Sequence, residues 1–147
     1  MRKVFIGLCA GVALTVSAVA EDPVEARQKL FKSFKNEMGA IKEIVVAGAV
    51  DKQVELNQHA QTLAKLSNDQ WSKIDMHFAK GTDKGETDAL PAIWEDFETF
   101  RAASEKEKTA IANFVAVTQQ PDAGEWKKGF GQLGSACKGC HEKFRKD

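Results

Sequence analysis

The chain has 147 residues, with 21 Lys and Arg set against 21 Asp and Glu, so its formal net charge is zero. That balance gives no electrostatic reason to expect nucleic acid or an anionic membrane as a partner. Its length suits one compact domain with one core.

Residues 1–20 read as a secretory signal and not as part of the fold. Arg2 and Lys3 open it, Val4 to Val16 is mostly apolar, and Ala18-Val19-Ala20 is a small-x-small cleavage site. The apolar run is shorter than the roughly 20 residues a membrane span needs. Cys9 invites a lipoprotein reading, but bulky Leu8 before it argues against lipid processing. Cleavage after Ala20 leaves a domain of residues 21–147, formally at −2 once Arg2 and Lys3 are gone. Only Cys137 and Cys140 then remain, too few for a disulfide framework. The mature chain is expected in the periplasm, with no membrane insertion.

Four helical segments follow, divided where Gly, Pro and Asp gather. The first runs from Pro23 to about Ala47, with Asp22 placed to cap it and Pro23 suited to the first turn. Val24, Phe31, Met38 and Val45 recur every seven residues, and Phe34 and Ile41 fill a second seam, which is bundle patterning. Arg27 puts a charge in a seam slot. It either snorkels outward near the helix end or faces an anionic cofactor group, and the pattern does not choose.

After a break around Gly48, the second segment spans about Lys52 to Leu66 with Leu56, Ala60, Leu63 and Leu66 on one side. Ser67-Asn68-Asp69 either interrupts it or starts another turn leading to Trp71, Ile74 and Phe78. His59, Met76 and His77 have ligand chemistry but no accompanying motif, so they read as structural. Lys80 to Asp88 is the largest loop, with no phosphate-binding spacing. The third segment, from about Pro91 to Gln119, carries Ile93, Phe97, Phe100, Ser104, Ile111, Phe114 and Val117 on one face. Trp94 beside that face either packs on a flat cofactor or fills the core. Glu105-Lys106-Glu107-Lys108 reads as a solvated charged turn.

The fourth segment, Ala123 to about Arg145, holds the chemistry. Cys137-Lys138-Gly139-Cys140-His141 is a CxxCH run, the attachment signature of c-type haem. Two thiols can add to the porphyrin vinyl groups and the adjacent imidazole can reach the iron. A redox dithiol wants a βαβ context, which is missing, and a zinc site wants a second soft pair. Haem is joined to this motif outside the bacterial cytoplasm, so motif and export signal support each other. On a helix, His141 lies one turn from Cys137 and projects from the same broad face. Gly131, Gly134 and Gly139 leave room for a planar ring, although crowding in a small bundle would explain them equally well. The sixth coordination position sets the function. An axial methionine favours a low-spin electron carrier, and an apolar residue leaves room for small gases. Met38 and Phe31 share a stripe roughly 10 Å apart, and periodicity does not choose between them.

The stretches EARQKLF at 25–31, ALPAIWEDFETF at 89–100 and FGQLGSACKGCHEKFR at 130–145 resemble the cytochrome c′ family, which also takes in the low-spin cytochromes c-556. The resemblance covers residues 21–147. It implies an all-α, antiparallel four-helix bundle with one haem c per chain, held covalently through Cys137 and Cys140 with His141 as proximal iron ligand. It also implies that Arg27 and Gln28 lie near the haem propionates and Asp88 at the haem edge. Leu90 and Ala92 depart from the charged residues common around that proline. The same alignment puts Phe31 at the distal position and Arg145 beside the proximal face. The implied protein is five-coordinate and high-spin, binding nitric oxide or another small diatomic ligand, with electron exchange to redox partner proteins and a homodimer formed through the first two helices. The competing readings are a low-spin, six-coordinate electron carrier of the c-556 type and a haem enzyme such as a peroxidase. No catalytic residue is assigned, because neither His59 nor His77 carries a distal acid–base pattern.

Overall fold

The computed structural model describes residues 21–146, so the expected signal segment lies outside the described residues. Helix α1 (Pro23–Ala47) has the predicted bounds. Asp22 Oδ1 accepts the amides of Val24 and Glu25 at 2.7 and 3.1 Å, quenching donors that a helix start leaves free. Gly48, at φ 63° and ψ 31°, closes the helix in the left-handed conformation that glycine adopts without a Cβ penalty. A 3-10 turn, Val50–Lys52, then leads into α2 (Gln53–Trp71).

Helix α2 does not stop at Leu66. It runs through Ser67-Asn68-Asp69 to Trp71, because Ser67 is buried and its hydroxyl donates to Glu107 Oε2 at 2.8 Å. That cross-helix bond replaces the local backbone bonds through which serine usually breaks helices. A single turn, α3 (Ile74–His77), precedes a long connection to another single turn, α4 (Ala92–Glu95). The expected third helix is therefore split at Asp96, whose backbone leaves the helical region at φ −138° and ψ 65°. Its carboxylate caps α5 (Phe97–Val117) through the Thr99 amide at 3.1 Å. Helix α6 (Ala123–Phe144) starts under the same device, with Asp122 Oδ1 accepting from Gly124 and Glu125.

The four long helices form a closed ring of neighbours, α1 on α2, α2 on α5, α5 on α6 and α6 on α1. This is an antiparallel four-helix bundle. Among the described residues no helix is long and apolar enough to cross a membrane.

Among the described residues the interior holds two apolar clusters. One includes Phe34, Ile41, Leu56, Leu63, Ile111, Phe114, Trp126 and Leu133. The other is aromatic and gathers Trp71, Ile74, Phe78, Ile93, Phe100 and Phe144. Burying each such side chain contributes about 1.5–3 kcal/mol. Gly129 lets α5 and α6 approach closely, since a Cβ there would lie 2.9 Å from Val117 Cγ2 and 3.3 Å from Phe114 Cδ2.

One expectation fails outright. The stretch at 105–108 is not a uniformly solvated charged turn, because Glu107 is buried. It occupies the slot between Ser104 and Ile111 on the inward stripe of α5, where its carboxylate meets donors on α2. Glu105 and Lys106 remain exposed, as expected.

Candidate haem site

Helix α6 presents the CxxCH residues along one flank. Both thiols are free and half-buried. Cys137 packs against the first apolar cluster and Cys140 against the aromatic one, so the pair stands where the two cores meet. Burial, reinforced by the charge of Glu107, pushes both thiols up to about 11. At neutral pH they are therefore protonated, unlike the low-pKa thiolates of redox dithiols. A protonated thiol suits addition across a vinyl group, where sulfur bonds one carbon and hydrogen the other.

His141 follows on the solvent side of the same flank. Partial shielding lowers its pKa first, and the Arg145 guanidinium lowers it further. That keeps the imidazole neutral, as an iron ligand must be. Gly134, Cys137, His141 and Arg145 border a cleft of about 410 Å³. Open space surrounds any Cβ built at Gly131, Gly134 or Gly139. Crowding thus explains Gly129 and does not explain the other three. Two reduced thiols at the meeting of two cores, a neutral imidazole one turn on, and a cleft bordered by Gly134 fit a haem joined through Cys137 and Cys140. When bound, that group supplies one-electron chemistry and an iron site for small ligands.

Arg27 neither snorkels outward nor stands free. It is buried, and burial lowers its pKa against the opposing pull of Asp22. Nη1 donates to the His77 carbonyl and Thr82 Oγ1, and Nη2 to the Thr82 carbonyl and Thr87 Oγ1, all within 2.7–2.8 Å. The guanidinium also lies over the Phe78 and Trp94 rings at 4.9 and 5.8 Å. Gln28 donates to the Glu86 carbonyl at 2.7 Å. The far side of this loop is held by the chain's last turn. Ala89 pairs with Arg145 in an isolated antiparallel bridge, the Lys146 amide donates to the Asp88 carbonyl at 2.8 Å, and the Leu90 amide to that of Phe144 at 3.0 Å. Arg27, Gln28, Asp88 and Arg145 are therefore linked through one loop, with the Asp88 side chain exposed.

Phe31 touches both apolar clusters, as the two cysteines do between them. Its ring meets Trp71 edge-on at 5.9 Å and Phe34 at 5.7 Å. Met38 packs only with the first cluster, and Met76 is 53% exposed. His59 is engaged with Glu37 at 2.7 Å. His77 is buried against Gln70, whose fully buried Nε2 has no partner among the described residues. Trp94 donates to the carbonyls of Phe78 and Ala79, which closes the loop and leaves its ring on Arg27.

Sequence reasoning missed four participants. Trp71 was visible as an apolar residue but not as the neighbour of Phe31. Thr82 and Thr87 carried no signal, because hydroxyls in a polar loop are common. Glu107 did carry one: the stripe Phe100, Ser104, Ile111, Phe114 leaves a single inward slot, and Glu107 fills it.

A family model described as cytochrome c′ matches residues 22–145. Cytochrome c′ of Rubrivivax gelatinosus is 35% identical over 127 residues, covering 84% of this chain and 94% of that one. Cytochrome c′ of Alcaligenes xylosoxydans xylosoxydans is 30% identical over 132 residues, covering 88% and 97%. The Rubrivivax crystal structure superposes with a TM-score of 0.74 at 32% identity, covering 85% of this chain and 95% of its own. A nitric oxide complex of an Alcaligenes xylosoxidans variant gives 0.76 at 28% identity, covering 88% and 98%, and a carbon monoxide complex of another variant gives the same score.

Proposed function

The chain belongs to the cytochrome c′ family and carries its haem c attachment residues at Cys137 and Cys140, and from that premise we propose that it is a periplasmic five-coordinate haem protein that binds nitric oxide or a similar diatomic ligand. His141 serves as the proximal ligand and Phe31 covers the opposite face, where a phenyl ring has no lone pair to offer iron. Arg27, Gln28 and Asp88 stand at the propionate edge. Arg27 acts there chiefly by holding the 82–87 backbone in shape, since its four Nη bonds go to residues 77–87. Arg145 stands beside the proximal face.

The observation that carries this reading is the position of Phe31. It packs on both apolar clusters, between which the cysteines also stand, while Met38 reaches only one and Met76 faces solvent. A crowded apolar face selects ligands that bind with little room. Nitric oxide is the favoured candidate because it can also weaken the bond to a proximal histidine. The relatives bound to nitric oxide and to carbon monoxide support this choice.

The test is the visible spectrum of the periplasmic holoprotein, oxidised and reduced, with and without nitric oxide. A high-spin spectrum that changes on adding nitric oxide is expected. A six-coordinate methionine spectrum in both oxidation states would instead assign Met38 to iron and make the protein a c-556-type carrier. We also propose a homodimer through α1 and α2. Val46, Val50 and Val54, 47–65% exposed at the α1–α2 turn, support an apolar contact there. Sedimentation at micromolar concentration tests it, and a monomer under those conditions would exclude it.

A further inference from the structure

Glu107 is a buried carboxylate that the proposed ligand chemistry does not use. It lies on α5, and two donors on α2 converge on the same oxygen. Ser67 Oγ and Trp71 Nε1 reach Oε2 at 2.8 and 2.7 Å. Trp71 is the residue whose ring meets Phe31. Helix α6 packs on the same stretch of bundle, and the charge of Glu107 is felt at both Cys137 and Cys140. A single buried carboxyl is thus hydrogen-bonded to Trp71, the neighbour of Phe31, and electrostatically coupled to the haem attachment cysteines.

The environment holds its two protonation states in opposition. Two donors on one oxygen favour the anion. Burial favours the acid and dominates, so the pKa is raised. A group in this balance responds to a change of charge nearby. Across one helix-packing distance of about 10 Å, at an effective dielectric of about 20, one unit of charge alters a proton affinity roughly tenfold.

We propose that Glu107 is a redox-linked proton site, taking up one proton when the haem iron is reduced and releasing it on oxidation. The electron comes from an external one-electron donor, and the proton comes from solvent to the Glu107 carboxylate. No other bond is made or broken, and the net charge of the site is the same before and after the pair has entered. The proposal rests on the haem reading above.

The charged and titratable groups around Glu107 leave it as the group able to respond from this face. Helix α2 offers Ser67 and Trp71, which do not titrate in the accessible range. Helix α5 offers Lys108, a neighbour whose positive charge favours the anion. Helix α6 offers Cys137 and Cys140, which become thioethers when haem is attached.

The experiment is a spectroelectrochemical titration of the holoprotein from pH 5 to 9, with wild type, Glu107→Gln and Ser67→Ala. Wild type should show a midpoint potential that falls with pH, by up to one proton per electron, across a window set by a roughly tenfold difference in proton affinity. Glu107→Gln should abolish that slope. Ser67→Ala removes one donor from the anion and should move the window to higher pH. Redox-difference infrared spectra should show a carboxylic acid C=O band appearing on reduction in wild type and missing in Glu107→Gln. A slope unchanged in Glu107→Gln would assign it to propionates or an axial group and overturn the proposal, as would a wild-type potential independent of pH. Should Glu107→Gln fail to fold, Ser67→Ala decides, and an unmoved window overturns the proposal. A pyridine haemochrome assay on the same sample reports on the haem reading separately, and a haem-free product would overturn both.

Discussion

Single residues here carry roles that their class alone does not reveal. Arg27 is a helix residue of ordinary type, yet four of its N–H donors end on residues 77–87. Arg27→Leu would leave two carbonyls and two hydroxyls without that partner. It should cost about 3 kcal/mol of folding stability, measurable by urea denaturation of the holoprotein. Phe31 acts by bulk. Removing the ring in Phe31→Ala should raise carbon monoxide affinity of the reduced protein about tenfold, or about 1.4 kcal/mol. Equilibrium titration checks this, and an unchanged affinity would mean that the phenyl ring does not cover the ligand site. The motif at 137–141 was legible because covalent attachment demands fixed residues at fixed spacing. Arg27 was less so: a charge in a seam slot is visible, but its partners lie 50 to 60 residues away and no local pattern names them.

At the scale of elements, capping chemistry set the boundaries well where an aspartate did the capping. Asp22 and Asp122 start their helices where the sequence predicts. The failures have two causes. Ser67 continues a helix because Glu107 on α5 accepts its hydrogen bond, a tertiary contact overruling a local rule. Asp96 breaks one through a local bond, its carboxylate capping the Thr99 amide three residues on. The α5–α6 contact offers a direct test. Gly129→Ala places a Cβ within 2.9 Å of Val117 Cγ2, so Val117 must move. That substitution should destabilise by about 1–3 kcal/mol, whereas Gly131→Ala, with nothing within 4 Å, should not. Thermal melts of the pair separate close packing from intrinsic helix preference, which would favour alanine at both sites.

The whole molecule is a bundle whose stability should depend on pH through groups held away from their ordinary charge. Burial lowers the pKa of His77, with Lys73 adding to the effect. The unfolded chain therefore binds a proton that the folded chain refuses. Stability is lost as pH falls below about 6.5, the ordinary histidine value, toward the lowered one. Glu107 works in the other direction, since its raised pKa makes the folded chain the better proton acceptor. Its contribution is full below the ordinary carboxyl value and fades as pH rises through the folded one. His77→Gln should flatten the melting temperature between pH 7 and 5, and a slope identical to wild type would place the acid sensitivity elsewhere. The bundle itself was readable from four apolar stripes and the breaks between them. The closure of the 78–91 connection was not, because it depends on long-range bonds from α1 and from the residues after α6.

The antiparallel stitch between Ala89 and Arg145 has a kinetic meaning. A final helical turn ordinarily frays, and His141 sits in just such a turn. Here the turn is clasped to a loop that Arg27 grips from the opposite end of the sequence, so opening it requires breaking bonds on both sides. On the proposed reading, that clasp would hold the His141 imidazole at high effective concentration beside a haem carried by Cys137 and Cys140, so the ring would remain close at hand as a ligand under conditions that would let an ordinary last turn fray away.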